Sequence, residues 1–350
     1  MERSCFGRSI RDATALKAAT LVVLLSGLFI VSTGMGYIQI PPAAVLKIIW
    51  GGISGKPDAF AGMNEIFPVV VMDVRLPRIL TAALVGGGLA MSGVVFQGIL
   101  LNPLADPYTL GVSAGAAFGA ALAILMNMSA LGIFSVPLFA FLGAAATLGV
   151  VIYLSAGSGG LSSNNLILSG IIVAAILSAG ISFLKYVADE QVAVIIFWLM
   201  GSFSSKTWGD AGLTGVCVAA GASVFLYFAR ELNLMSLGSQ MASSLGVDTR
   251  RVTLILLAAA SVVAAVCVSV AGIIGFVGLL VPHIMRLLCG PDNRRLVPLS
   301  FLAGALLLLG ADTLTRAVLP AEVPIGVLTA LIGGPFFCYV FRRQSAGRAW

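Results

Sequence analysis

Few residues in this 350-residue chain could do covalent chemistry, and those few lack the settings it requires. Gly111-Val112-Ser113-Ala114-Gly115 matches the GxSxG nucleophile elbow. That motif needs a strand–turn–helix and a histidine base. Here it falls in an apolar helical stretch, and the single histidine, His283, stands far off in sequence. Gly55-Lys56 ends like a phosphate-binding loop, but Trp50 occupies the required glycine position and Pro57 the required Ser or Thr. His283 follows Pro282 and precedes Arg286, with no carboxylate close by in sequence. One histidine builds no metal site, so it is expected at a helix end, against headgroups or a partner. The cysteines (Cys5, Cys217, Cys267, Cys289 and Cys338) are widely spaced and form no CxxC. They are expected to be small buried hydrophobes. No enzyme activity, nucleotide site, bound cofactor or metal is therefore expected of the chain itself.

Charge inside apolar sequence is costly, and so it marks candidate functional positions. Asp312 and Arg316 are the clearest, and their i,i+4 spacing permits an ion pair near one end of a helix. A carrier driven by a proton or sodium gradient usually places a carboxylate or histidine at the membrane midplane. The scarcity of such groups points to energy supplied from elsewhere and leaves a gradient-driven carrier as the alternative.

The elements that carry these residues are membrane spans. The chain is 59% hydrophobic and 10% charged, against about 25% charged in soluble domains. Uncharged runs cover 18–46, 79–105, 107–184, 252–285 and 323–341. Spanning helices need roughly 20 apolar residues, and these runs lack the alternation of barrel strands. The expected fold is all-α and polytopic, with about ten transmembrane helices. They fall near 18–38, 79–100, 108–128, 132–155, 163–184, 211–229, 252–271, 273–289, 297–316 and 323–341, with a short helix at 190–202. The stretch after Arg3, Arg8, Arg11 and Lys17 has no clear cleavage site and is read as a retained first span.

With both termini placed in the cytoplasm, the inner loops hold Arg3, Arg8, Arg11, Lys17, Arg230, Arg250, Arg251, Arg286, Arg294, Arg295, Arg342, Arg343 and Arg348. The outer ones hold Lys47, Lys56, Arg75, Arg78, Lys185, Lys206 and Arg316. This excess fits the positive-inside rule. It also accounts for the net charge of +6 without nucleic acid, because the basic residues only punctuate apolar runs.

Gly111, Gly115 and Gly119, four residues apart, share a helix face that lets backbones approach in lipid. Gly272, Gly275 and Gly278 look similar at spacing three. Residues 232–251 are too polar for a span, and Gly238 and Gly246 break them into short helical pieces. A helix there offers Leu237, Met241 and Leu245 at spacing four, as a docking surface for a soluble partner or as an interfacial helix. In the loop Asn102-Pro103-Leu104-Ala105-Asp106-Pro107 two prolines fix the backbone, as a gate or a rigid turn requires.

Between about Val74 and Phe341 the chain resembles the FecCD/BtuC-like permeases, which import iron–siderophore complexes, haem and vitamin B12. The resemblance rests on Arg75-Leu76-Pro77-Arg78; on Ser92-Gly93 with Gln97; and on Asn102 through Pro107 with Leu110-Gly111. It continues in Leu237-Gly238, Ala242 and Leu245-Gly246-Val247, and in Gly272 to Leu279 with Pro282-His283 and Arg286. Ala311-Asp312 with Arg316, Glu322 to Gly326 and Gly334 to Phe337 complete the order. Ser239 and Asn293 depart from the acidic residue and the histidine often found there.

The resemblance implies one permease domain over 1–350 in the bacterial cytoplasmic membrane. Its cytoplasmic parts would be residues 1–17, a coupling segment at 232–251 and a tail at 342–350. The permease would pair with a second permease subunit, as a homodimer or close heterodimer, with the pathway along the interface. Two cytoplasmic ATPases, which hold the ATP and magnesium, would dock on Leu237, Gly238, Met241, Ala242, Leu245 and Gly246. A periplasmic or lipid-anchored binding protein would meet Arg75, Arg78 and Arg316. Asn102 and Leu104 would lie near a cytoplasmic gate, and Gly111, Gly115 and Gly119 would pack helices beside the pathway. Iron–siderophore is the first-ranked cargo, followed by haem and cobalamin.

Overall fold

The computed structural model describes residues 2–55, 63–128, 135–157, 162–317 and 322–345. Lys56 and Arg348, both placed by the topology count, lie outside them. Helices dominate the described residues. The elements are α1 (Glu2–Gly34), α2 (Pro42–Ser54), α3 (Ile66–Val69), a π-turn (Val70–Arg75), α4 (Leu76–Leu100), a 3₁₀ turn (Pro107–Leu110), α5 (Val112–Leu125), α6 (Ser135–Gly157), α7 (Ser163–Val187), α8 (Val192–Leu199), α9 (Trp208–Tyr227), α10 (Ala229–Met235), α11 (Ser239–Ser244), α12 (Thr249–Ala271), α13 (Val277–Cys289), α14 (Asn293–Ala317) and α15 (Ile325–Ser345).

Among the described residues seven helices are long and apolar enough to cross a membrane, and α2, α5, α13 and α15 are shorter apolar helices. Each of the ten expected spans falls on a helix, seven of them of spanning length. The chain thus has two ends, one carrying Arg75, Arg78 and Arg316 (the arginine end) and one carrying 229–249 (the coupling end).

Helix α4 forms the centre and is buried along most of its length. Lipid gives helices no hydrophobic drive to associate, so close backbone packing by small residues must hold them together. Gly86 meets Gly304 of α14, and Gly93 meets Gly278 of α13, so tightly that a Cβ on either would strike the facing backbone. Gly115 and Gly119 do the same on α5, against Gly143 and Phe139 of α6. Large apolar side chains such as Val23, Ile176, Phe183 and Val216 cover the outer faces and stay exposed, as lipid-facing residues would.

Five expectations need correction. Of the cysteines expected to be buried, Cys267 is, but Cys217 and Cys289 are half-buried and Cys338 is exposed. The span placed at 79–100 begins at Ile66. Asp73 and Arg75 ended it in the sequence, but Arg75 is buried within the helix. Residues 42–54 were read as loop but form α2, which packs Val45 and Ile48 on Val71 and Leu76. This helix is too short for a span, so the hydropathy pattern missed it. Gly272 and Gly275 share no helix face, because 272–276 is a turn between α12 and α13. Gly272 has φ +74°, and a Cβ there would press on Trp198 O and Gly201. His283 sits inside α13, buried against Phe336 and Phe337 of α15 with ring centroids 6.3 and 6.1 Å away.

Candidate functional site

Pro77 has no N–H to give to the carbonyl four residues back. The helix widens into the π-turn just before it, where Leu76 N donates to Val71 O. That turn carries Arg75, and Arg78 follows it, at the arginine end. Asp312 and Arg316 arrive on the last turns of α14, and Glu322 on the lead-in to α15. Arg78 Nε donates to Asp312 Oδ1 at 2.9 Å, and its two terminal nitrogens reach the Glu322 oxygens at 3.2 Å. Arg78 Nη2 also lies 2.9 Å from Asp312 Oδ1. Asp312 is fully buried, whereas the Glu322 side chain is 52% exposed.

Arg316 lies 3.8 Å from Asp312, so the i,i+4 pair exists, but Arg78 is the nearer partner. Arg316 donates chiefly to Ser32 O at 2.7 Å and Met35 O at 2.5 Å. Arg75 donates to Thr33 O at 2.6 Å and to Ile38 O. The three arginines therefore cluster at one end, but all turn inward onto carbonyls and carboxylates. Beside them lies a cavity of about 750 Å³ lined by Arg78, Glu322, Lys206, Trp198, Ser202 and Ser204. Lys206 Nζ donates to Val270 O at 2.7 Å, and burial pulls its ammonium below the usual lysine range.

Toward the coupling end, Arg286 Nη1 donates to Gln97 Oε1 at 3.0 Å, and Gln97 Nε2 donates to Leu279 O at 3.3 Å. This latch ties α4 to α13. The loop after α4 is held by side-chain caps from Asn102 and Asp106. Leu104 N donates to Asn102 Oδ1 at 2.9 Å, and Asp106 Oδ1 accepts from Tyr108 N, Thr109 N and Thr109 Oγ1 at 2.9–3.1 Å. Burial pushes the Asp106 carboxyl up, although these bonds pull the other way. Leu104 is exposed beside the capped turn.

At the coupling end, α10 and α11 are the short pieces expected, separated at Gly238 with φ +100°. Leu237, Met241 and Leu245 are 63%, 54% and 56% exposed, and Ala242 is buried as the anchor of α11. Gly246 has φ +88° and turns the chain toward α12. Sequence reasoning missed the fastening of this segment. Asn233 Nδ2 donates to Asp292 Oδ1 at 2.7 Å, while Asn233 Oδ1 accepts from Asn293 N at 2.9 Å and Asn293 Nδ2 at 2.7 Å. Glu322 as partner of Arg78 was missed too. Both links join residues far apart in the chain, and no local spacing announces them.

Ser113 is buried at the start of α5, after a 3₁₀ turn instead of a strand. His283 Nε2 has no hydrogen-bond partner among the described residues. The elbow therefore lacks both its scaffold and its base. No group of three metal-ligating side chains occurs among the described residues.

The FecCD transport family profile matches residues 23–343. The chain is 44% identical over 284 residues to the cobalamin import system permease protein BtuC of Halobacterium salinarum, covering 81% of this chain and 76% of that one. It is 39% identical to the molybdate import system permease protein MolB of Haemophilus influenzae, covering 93% and 95%. A solved metal-chelate type ABC transporter in an inward-facing conformation superposes with TM-score 0.81 at 34% identity, covering 93% of this chain and 98% of that one.

Proposed function

Because the chain belongs to the FecCD transport family, we propose that it is the membrane-spanning permease subunit of a binding-protein-dependent ABC importer, which carries a metal chelate inward on ATP hydrolysed by a separate subunit. One observation carries the partner side of this reading. Three exposed apolar side chains, Met241 on α11, Leu245 at its C-cap and Leu237 before the Gly238 break, stand at an otherwise polar, basic end. Arg230, Arg250, Arg251, Arg294 and Arg295 surround that end, which by the positive-inside rule faces the cytoplasm together with both termini. A cytoplasmic ATPase is the partner for these side chains, and ATP and magnesium belong to it. The whole chain acts as one permease domain.

The binding protein docks at the arginine end. Arg75, Arg78 and Arg316 already have internal acceptors, so docking through them means exchanging internal acceptors for carboxylates of the binding protein. Such pairs orient a partner more than they add affinity. A second copy of the chain completes the pathway, with Asn102 and Leu104 near its cytoplasmic mouth and the α5 glycines holding α5 against α6 beside it. The cargo is a metal chelate, with iron–siderophore first, then haem and cobalamin.

The test is affinity purification from native membranes, with mass spectrometry of the partners. An ATPase should accompany the wild-type chain and be lost with Met241→Glu combined with Leu245→Glu, while the variant stays monodisperse. Uptake of a ferric chelate by the reconstituted complex should require ATP. Uptake by the chain alone, driven by an ion gradient, would establish the carrier alternative, and uptake of an oxyanion in preference to a chelate would overturn the cargo.

A further inference from the structure

Helix α14 is fastened at both ends of the molecule. At its first residue, Asn293 gives two hydrogen bonds to Asn233, which lies in α10 immediately before the coupling helix. Near its last residue, Asp312 holds Arg78, which in turn holds Glu322 at the lead-in to α15. Helix α14 has 25 residues, and from Asn293 to Asp312 it spans about 28 Å.

Two neighbours stiffen that length. Helix α1 is bolted to α14 near both ends: Arg295 Nη1 donates to Thr14 Oγ1 at 3.4 Å near one, and Arg316 donates to Ser32 O at 2.7 Å at the other. The Thr313 and Ser32 hydroxyls lie 2.8 Å apart beside the second bolt. Helix α4 is pressed against the middle of α14, where Gly86 and Gly304 meet backbone to backbone and the Phe301 ring covers Gly87. No flexible side chain separates α4 from α14 at that crossing.

We propose that α14, braced by α1 and α4, is a rigid connecting rod that carries displacement of the coupling helix, through the Asn233–Asp292–Asn293 cluster, to the Arg78–Asp312–Glu322 cluster at the arginine end. The rod rests on the permease reading, since it supplies that importer with its line from the ATPase to the binding-protein face. Its chemistry suits the task. At the coupling end, Asn233 donates to Asp292 and accepts from Asn293, so sliding in either direction strains a bond. At the arginine end the half-exposed Glu322 is the member free to move, and it leads directly into α15. Asn233 and Glu322 are positioning residues, because each acts through the groups it holds.

A double-mutant cycle on the assembled importer in proteoliposomes tests this, with stimulation of ATP hydrolysis by the binding protein as the readout. Asn233→Leu and Glu322→Gln should each lower stimulation about fivefold, a common size for coupling between sites. Links in series fail together, so the double variant should also lose about fivefold, whereas independent effects would multiply to about 25-fold. Trp208→Phe serves as control, since Trp208 donates to Met72 O at the arginine end but lies off the rod. Its small effect should multiply with that of Asn233→Leu. If Asn233→Leu fails to retain the ATPase, Asn233→Asp replaces it, keeping the shape while setting two carboxylates face to face. Multiplicative loss in the Asn233–Glu322 pair overturns the rod and leaves the permease standing. A wild-type complex with no stimulation at all overturns both.

Discussion

Replacing Asp312 by asparagine tests the account of the arginine end. Four charged groups form its inner network, Arg78 and Arg316 against Asp312 and Glu322, and they sum to zero. Asp312 is fully buried and stands between both arginines. Asp312→Asn preserves the shape but leaves one positive charge in excess, with Arg78 almost fully buried beside it. Removing one member of a buried pair costs about 3–5 kcal/mol. Glu322 touches the same guanidinium at 3.2 Å, but half of its side chain faces water. Glu322→Gln should therefore cost about 0–1 kcal/mol, as exposed pairs do. At about 2 °C per kcal/mol for a large chain, the two variants should lose about 6–10 °C and about 2 °C or less. Thermal unfolding in detergent, followed by circular dichroism at one scan rate, reads the difference. Replacing both partners, Arg78→Met with Asp312→Leu, should recover much of the loss, because an apolar pair of similar volume leaves no stranded charge. Equal losses for Asp312→Asn and Glu322→Gln would refute the ranking by burial, and a double replacement worse than Asp312→Asn would refute the stranded-charge explanation.

Three further outcomes follow from the packing and capping. Gly304→Leu should wedge α14 off α4, costing about 3 kcal/mol or more by overpacking and giving poor recovery of monodisperse protein in size-exclusion chromatography. Asp106→Ala removes the acceptor that caps the 3₁₀ turn and should cost about 1–2 kcal/mol, read as a lower unfolding temperature with the helical signal unchanged at 20 °C. His283→Phe should fall within about 1 kcal/mol of wild type in the same melt, since the ring already lies among phenylalanines and an apolar group of like shape loses little.

The fold was largely readable because lipid permits so few solutions. Long uncharged runs had to be helices, and each expected span falls on one, although α5, α13 and α15 are shorter than a span. What escaped was whatever depended on a side chain reaching across the bundle. Arg75 looked like the end of a span, since its burial is affordable only with Thr33 O and Ile38 O waiting for it. Helix α2 was hidden because its length suits a surface element, and its partners Val71 and Leu76 belong to the next helix. The short helical pieces at 229–244 were legible from their glycines, but Gly238 also breaks the spacing-four row, so that Leu237 lies before α11 and only Met241 lies on it. Their fastening to Asp292 and Asn293 was not legible, because asparagine has many local uses and nothing in the sequence pairs residue 233 with residues 60 positions on. His283 misled by its neighbours Pro282 and Arg286, which usually mark a helix end, whereas the ring is enclosed by a helix that enters some 50 residues later.

The π-turn at Val70–Arg75 has a consequence for how chain length is absorbed here. A wide turn holds one residue more than the regular helix around it, so it is a place where the sequence can lose a residue without breaking the rod of backbone. Because the turn itself takes up the extra residue, such a loss would restore the regular ladder and leave the helix on either side in phase, with α2 still seated against Leu76. A relative that lacks this residue should therefore keep the apolar pattern of the 42–54 helix, and an alignment gap within 70–75 should stand alone.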